Sequence, residues 1–124
     1  MLADRGLPAA VEALAARAPI KTTTEARVTR RPPPVVETAA YFVVAESLTN
    51  AGKHAGPDAR ATVSIRGEAN ALRIEVADDG SGGADPDGSG LTGLRHRVEA
   101  LDGELEVISP AGSGTTIVAR LPYA

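Results

Sequence analysis

The chain has no cysteine and no tryptophan, and its aromatic residues are Tyr41, Phe42 and Tyr123 alone. Without cysteine there is no disulfide frame, no thiolate nucleophile and no cysteine-type zinc site. So few aromatics exclude a base-stacking platform for nucleic acid. A net charge of -3 gives no general attraction to DNA, RNA or anionic lipid. No apolar run approaches the roughly 18 residues that a membrane span needs, and the N-terminus lacks the apolar core of a signal peptide. The chain is therefore expected to be soluble, in a reducing compartment, with no direct membrane contact. Lysine is scarce as well: of 13 basic residues only Lys21 and Lys53 are lysines. What is present is 124 residues with 43% hydrophobic content, mostly Ala, Val and Leu. That is enough for one core and too little for two, so residues 1–124 read as a single domain.

Periodicity orders the chain. Leu7, Val11 and Leu14 stand at helical spacing in GLPAAVEALAARA, with Pro8 tolerated in a first turn. Ile20–Thr29 is polar and β-branched and reads as a strand, ended by Arg30, Arg31 and Pro32–Pro34. From Val35 to His54 the pattern is helical, with Ala40, Val44, Leu48 and Ala51 on one face, and Gly56 and Pro57 stop it. Ala61–Arg66 and Leu72–Ala77 alternate as two strands around a short turn. Glycine and aspartate then crowd Asp78–Gly93, a stretch unable to form core and expected to be a mobile loop. Leu91, Leu94, Val98 and Leu101 mark a third helix, followed by a hairpin of Glu104–Ser109 and Thr115–Leu121. Helices mixed with antiparallel strands, without βαβ alternation, predict an α+β two-layer sandwich: about five strands packed on three helices.

Four elements carry chemical potential. Glu46, Asn50 and Lys53, at i, i+4 and i+7, share roughly 60° of helical arc, with His54 beside them. A carboxylate, an amide and an ammonium on one ridge suit a metal–phosphate group, since magnesium takes hard oxygen ligands and keeps several waters. The same residues equally describe a solvated helix face. Asp78-Asp79-Gly80-Ser81-Gly82-Gly83 puts an acid at the end of an apolar strand. A carboxylate is acceptor-only and selects a donor edge such as an adenine amine; a plain Asp-Gly turn would look the same. Gly88-Ser89-Gly90-Leu91-Thr92-Gly93 feeds a helix N-terminus, where unpaired amides and the helix dipole favour an anion. It is neither a P-loop nor a dinucleotide fingerprint, and alone it also fits a linker. Gly112-Ser113-Gly114-Thr115-Thr116 is explained by turn chemistry alone.

In this order and with these gaps, the four elements resemble the GHKL superfamily of ATPases and kinases, over about Val35–Pro122. AESLTNAGKHA looks like its N-box, DDGSGG and GSGLTGL like its two glycine boxes, and GSGTT like its Gly-Thr motif. The short segment between Gly83 and Gly88 and the run after it look most like histidine kinases of the NarL/DesK type. The resemblance implies a Bergerat fold with ATP held between the long helix and a flexible lid over a mixed sheet. It implies that Asp78 accepts from the adenine amine, with Gly80 and Gly82 letting the base lie close. Asn50 would hold Mg2+, and Lys53 and His54 would face the phosphates. Gly88, Gly90 and Gly93 would hinge the lid, with Leu91 and Leu94 in the same motif. Arg97 would reach phosphate or solvent, Thr115 would close the adenine end, and Glu46 would polarise the attacking group. Gly52 departs from the pattern, because alanine would favour the helix there by roughly 1 kcal/mol.

The implied function is donation of the γ-phosphoryl group of Mg-ATP to a histidine on a separate dimerisation domain of the same parent, with a response regulator downstream. Neither His54 nor His96 matches an acceptor motif, so the acceptor is expected outside this chain, which reads as cut from a longer protein after its hairpin. Residues 1–18 would lead in from that hairpin. The parent would supply homodimerisation and any membrane anchor, leaving this domain monomeric and cytoplasmic. The Arg-, Ala-, Gly- and Pro-rich composition suggests a bacterial source. A serine kinase of the anti-sigma type would share the pocket, and the parent gene would separate the two. A non-catalytic nucleotide sensor predicts loss of Asn50 or Asp78, and both are present.

Overall fold

The computed structural model describes residues 2–83 and 89–123. In chain order the described residues form α1 (Leu2–Arg17), β1 (Lys21–Arg27), α2 (Pro34–His54), β2 (Arg60–Glu68), β3 (Ala71–Asp78), α3 (Ser89–Glu99), β4 (Glu104–Ile108) and β5 (Thr115–Pro122). The strands make one sheet in the order β1-β2-β3-β5-β4. Only the β1–β2 pair is parallel; the other three pairs are antiparallel. This is the expected α+β sandwich, with five strands and three helices.

Alternation decides which face is covered. Val63, Val76 and Ile117 lie side by side across β2, β3 and β5, followed by the row Ile65, Ile74 and Ala119. All six are buried, and the helices cover this face. The opposite face carries Arg73, Glu75 and Arg120, with an Arg73–Glu75 ion pair at 3.3 Å, as suits an antiparallel sheet wetted on one side.

The long helix α2 is the hub. Pro33 precedes it and Pro34 occupies its first turn, where a missing amide proton costs nothing. Its inner stripe is made of small and β-branched residues: Val36, Ala39, Ala40, Val43, Val44, Leu48 and Ala51 are buried. That choice keeps the helix close to the sheet and leaves little room for it to roll. Glu37 is buried beside the stripe at 3% exposure, and its carboxylate is held by the Arg31 guanidinium at 3.1 Å. An acid in the first turn also complements the helix dipole. α1 packs on α2 and β1, and α3 on α2 and β4. Gly6 breaks α1 with φ 80°, so Pro8 falls in the first turn of the longer piece. At the far end Tyr123 donates its amide to Asn70 O (2.9 Å) and its hydroxyl to Arg30 O (3.2 Å), under the Arg30 guanidinium.

Gly52 has a packing reason. A Cβ there would run into the ring of Pro19, in the α1–β1 connection. A proline ring cannot swing aside, so the helix gives up propensity for close approach. Gly52→Ala gains about 1 kcal/mol of propensity but loses about 1–3 kcal/mol to overpacking, for an expected net loss near 1 kcal/mol. Urea denaturation measures this, and adding Pro19→Ala should recover most of it. Additive effects of the two changes would show that they do not touch.

Candidate functional site

Where α2, the end of β3, the start of β5 and the start of α3 meet, they enclose a cavity of about 630 Å³. That size suits a small organic ligand. α2 contributes Glu46, Asn50, Lys53 and His54, so the predicted ridge does face one space. Burial of the stripe described above sets this orientation, because Asn50 points within about 20° of arc of Val43 at the edge of the stripe, with Glu46 and Lys53 further round. β3 delivers Val76 and Asp78, and β5 delivers Thr115 and Ile117. The register places Asp78 directly opposite Thr115. Gly90 and Leu91 bring the N-terminal turn of α3 to the wall.

The wall divides by chemistry. Ala51, Val76, Leu91 and Ile117 supply an apolar slot suited to a flat ring. Asp78 stands at its edge: Oδ1 accepts from the Gly80 amide at 2.9 Å, while Oδ2 has no hydrogen-bond partner among the described residues. Thr115 Oγ1 is held by Ser109 Oγ at 2.5 Å. The Asn50 amide lies against α3, since a Cβ on Gly90 would sit 3.7 Å from its Oδ1.

The first glycine stretch is ordered by packing, which the mobile-loop expectation for Asp78–Gly93 did not foresee. Ser81 donates its amide to Ala55 O (3.2 Å) and its hydroxyl to His54 O (3.1 Å), satisfying carbonyls that the end of α2 would leave unpaired. Gly80 has no room for a Cβ because Ala55 fills that space. Gly82, at φ +68°, packs on the carbonyl of Pro110. Gly83 N donates to Ser109 O (2.9 Å) and Gly112 N to Ser81 O (2.6 Å). These glycines thus let three backbone segments converge, and of the pair Gly80 and Gly82 only Gly82 lines the cavity.

The other expected residues fall as follows. Gly88 lies outside the described residues. Gly93 sits within α3, and a Cβ there would meet nothing within 4 Å. Leu94 is a core residue at 3% exposure. Arg97 is outside the cavity wall, its guanidinium stacked 4.2 Å from the Phe42 ring centroid, which ties α3 to α2. Sequence reasoning missed Ser81 and Ser47. Ser81 sat inside the glycine motif that follows β3, and Ser47 was signalled only by its place between Glu46 and Asn50. Ser47 lines the cavity at 2% exposure, and its Oγ has no hydrogen-bond partner among the described residues.

Fold and cavity together define a two-layer α+β domain with a small-ligand site beside its long helix. A family model described as histidine kinase-, DNA gyrase B- and HSP90-like ATPase matches residues 35–124, and the chain belongs to that family. It is 37% identical over 92 residues to the oxygen sensor histidine kinase NreB of Staphylococcus carnosus, covering 70% of this chain and 26% of that protein. Over 87 residues it is 39% identical to the signal transduction histidine-protein kinase/phosphatase UhpB of Salmonella typhimurium, covering 66% of this chain and 16% of that protein. Among solved structures, the histidine kinase domain of the Erythrobacter litoralis blue-light activated histidine kinase superposes with a TM-score of 0.76 at 26% identity, over 94% of this chain and 59% of that one. The chain thus spans about a quarter or less of the sequence relatives it matches. No helix among the described residues is long and apolar enough to cross a membrane.

The placement of Arg97 has a measurable consequence. Arg97→Ala should cost about 0.5–1 kcal/mol of stability through the lost ring contact, while nucleotide affinity changes less than about twofold. Titration with an ATP analogue together with thermal unfolding reads both; a tenfold loss of affinity would put the guanidinium on the ligand.

Proposed function

We propose that this chain binds Mg-ATP in the cavity and presents its γ-phosphoryl group to a histidine on a dimerisation domain of the same parent, which then passes it to a response regulator. The observation that carries this reading is that Asp78 and Asn50, from different elements, border one apolar slot. Asp78 Oδ2 accepts from the exocyclic amine of adenine, and an acceptor-only group disfavours a carbonyl in that place. The ring lies between Leu91 and the Val76–Ile117 side of the sheet. The phosphates run along α2, where Lys53 and His54 offset charge and the amides of the first turn of α3 point at anionic oxygens.

The donor set suits magnesium held mainly by its nucleotide. Asn50 offers one hard oxygen, with Glu46 a turn away, and no cluster of three or more His, Cys, Asp or Glu among the described residues could cage a metal alone. This matches an ion that takes one or two protein oxygens and fills its shell with phosphate and water. Mg-ATP supplies the transferable phosphoryl group; the chain supplies position and charge neutralisation, which dominate such transfers. Glu46 faces the open side of the cavity, where it can orient an incoming nucleophile. Neither His54, a wall residue, nor His96, an exposed residue of α3, stands in an acceptor motif, which supports an acceptor outside this chain. The domain itself is monomeric, and the parent provides the dimer.

Binding of a non-hydrolysable ATP analogue with and without magnesium tests the assignment. Asp78→Asn should lower affinity about 10- to 100-fold in both conditions, the worth of a hydrogen bond to a charged group. Asn50→Ala should mainly abolish the magnesium enhancement. Equal affinities in wild type and both variants would refute the site. A second expectation concerns transfer: incubated alone with labelled ATP, the chain should accumulate no phosphohistidine, and stable label on His54 or His96 would contradict an external acceptor.

A further inference from the structure

Ser47 is an anomaly in a well-satisfied fold. It sits on α2 at 2% exposure, it lines the cavity, and it carries the one buried side-chain polar atom among the described residues that has no hydrogen-bond partner. Leaving a hydroxyl buried and unpaired is unfavourable, and alanine would fit the small-residue stripe of Ala40, Val44 and Ala51 without that cost. Two other hydroxyls lie on the wall. Thr49 Oγ1 donates to Ala45 O at 2.9 Å, and Thr115 Oγ1 is engaged with Ser109. Ser47 alone of the three has no hydrogen-bond partner among the described residues.

We infer that Ser47 is a specificity-determining residue that reads the nucleotide base, its hydroxyl donating to the ring nitrogen beside the amine that Asp78 accepts. The inference rests on the adenine-nucleotide reading of the cavity. Along that edge adenine presents a donor, the amine, and next to it an acceptor, the N1 lone pair. Asp78 ionised accepts and cannot donate, so it serves the first atom and not the second. A hydroxyl on the same wall completes the pair, with rotation about χ1 swinging it toward the slot. Contact is direct or through one ordered water, which transmits a hydrogen bond at little loss. The unpaired atom is then a partner held ready for the ligand.

Ser47→Ala separates this role from packing, because the two move stability and binding in opposite directions. The free variant should melt at or above the wild-type temperature, since an unpaired buried hydroxyl is gone. Its affinity for ATP should fall about three- to tenfold, the range for one hydrogen bond. Two analogues locate the contact: 1-deaza-ATP, in which a C–H replaces the ring nitrogen beside the amine, and 7-deaza-ATP, altered on the far edge. Wild type should bind 1-deaza-ATP more weakly than ATP by a similar factor, and Ser47→Ala should erase that difference while leaving the ratio of ATP to 7-deaza-ATP unchanged. Unaltered ATP affinity in the variant, or equal weakening of all three nucleotides with a lowered melting temperature, would overturn the assignment while leaving the nucleotide site intact. Failure of wild type to bind any of the three would instead remove the nucleotide reading itself, and this inference with it.

Discussion

Everything functional in this domain depends on how α2 is seated. Its inner stripe of alanine and valine presses on the sheet, and Glu37 is tied to Arg31 at its entry. A helix so held cannot roll, so the ridge of Glu46, Asn50 and Lys53 has a single direction to face. Close packing converts this rotational constraint into positional accuracy at the site. Gly52 belongs to the same constraint: it lets the Pro19 ring lie against the helix backbone and fixes the helix from outside the sheet.

The second half of the site depends on strand register. A shift of one residue in the β3–β5 ladder would turn Asp78 away from the cavity and send Val76 and Ile117 to the wet face. Register is secured at both ends. Tyr123 pins the end of β5 to the β2–β3 turn, and Ser81, Gly82 and Gly83 knit the end of β3 to the α2 terminus and the β4–β5 turn. The glycine-rich motif is therefore first a structural junction: its backbone caps a helix and joins two turns, and the cavity opens beside it.

Much of this was legible in the sequence. Helical periodicity located α2 and the last turns of α3, alternation located β2, β3 and β5, and the spacing of Glu46, Asn50 and Lys53 placed them on one ridge. What was hidden depends on contacts distant along the chain. Parallel pairing of β1 with β2 leaves no local signature, because β1 is a mostly exposed edge strand whose polar residues do not alternate clearly. α3 begins at Ser89, ahead of the first apolar residue, Leu91, that periodicity can register. Arg97 follows a glycine motif, yet its partner is Phe42, more than fifty residues earlier. The strain-relieving role of Gly80 and Gly82 could not be read without knowing that Ala55 and Pro110 lie beside them. Ser47 resembled any small helical residue until its burial and lack of a partner were visible.

Membership in the histidine kinase-, DNA gyrase B- and HSP90-like ATPase family accounts for the fold, and the side chains that converge on the cavity support the purine triphosphate proposed as its occupant. The most direct measurement is a crystal structure of the chain with magnesium and a non-hydrolysable ATP analogue. The account predicts the adenine amine within hydrogen-bonding distance of the Asp78 carboxylate, the ring against Val76 and Ile117, and the metal bound by Asn50 and the phosphates. A nucleotide seated elsewhere, or one in this cavity with its base turned away from Asp78, would contradict it.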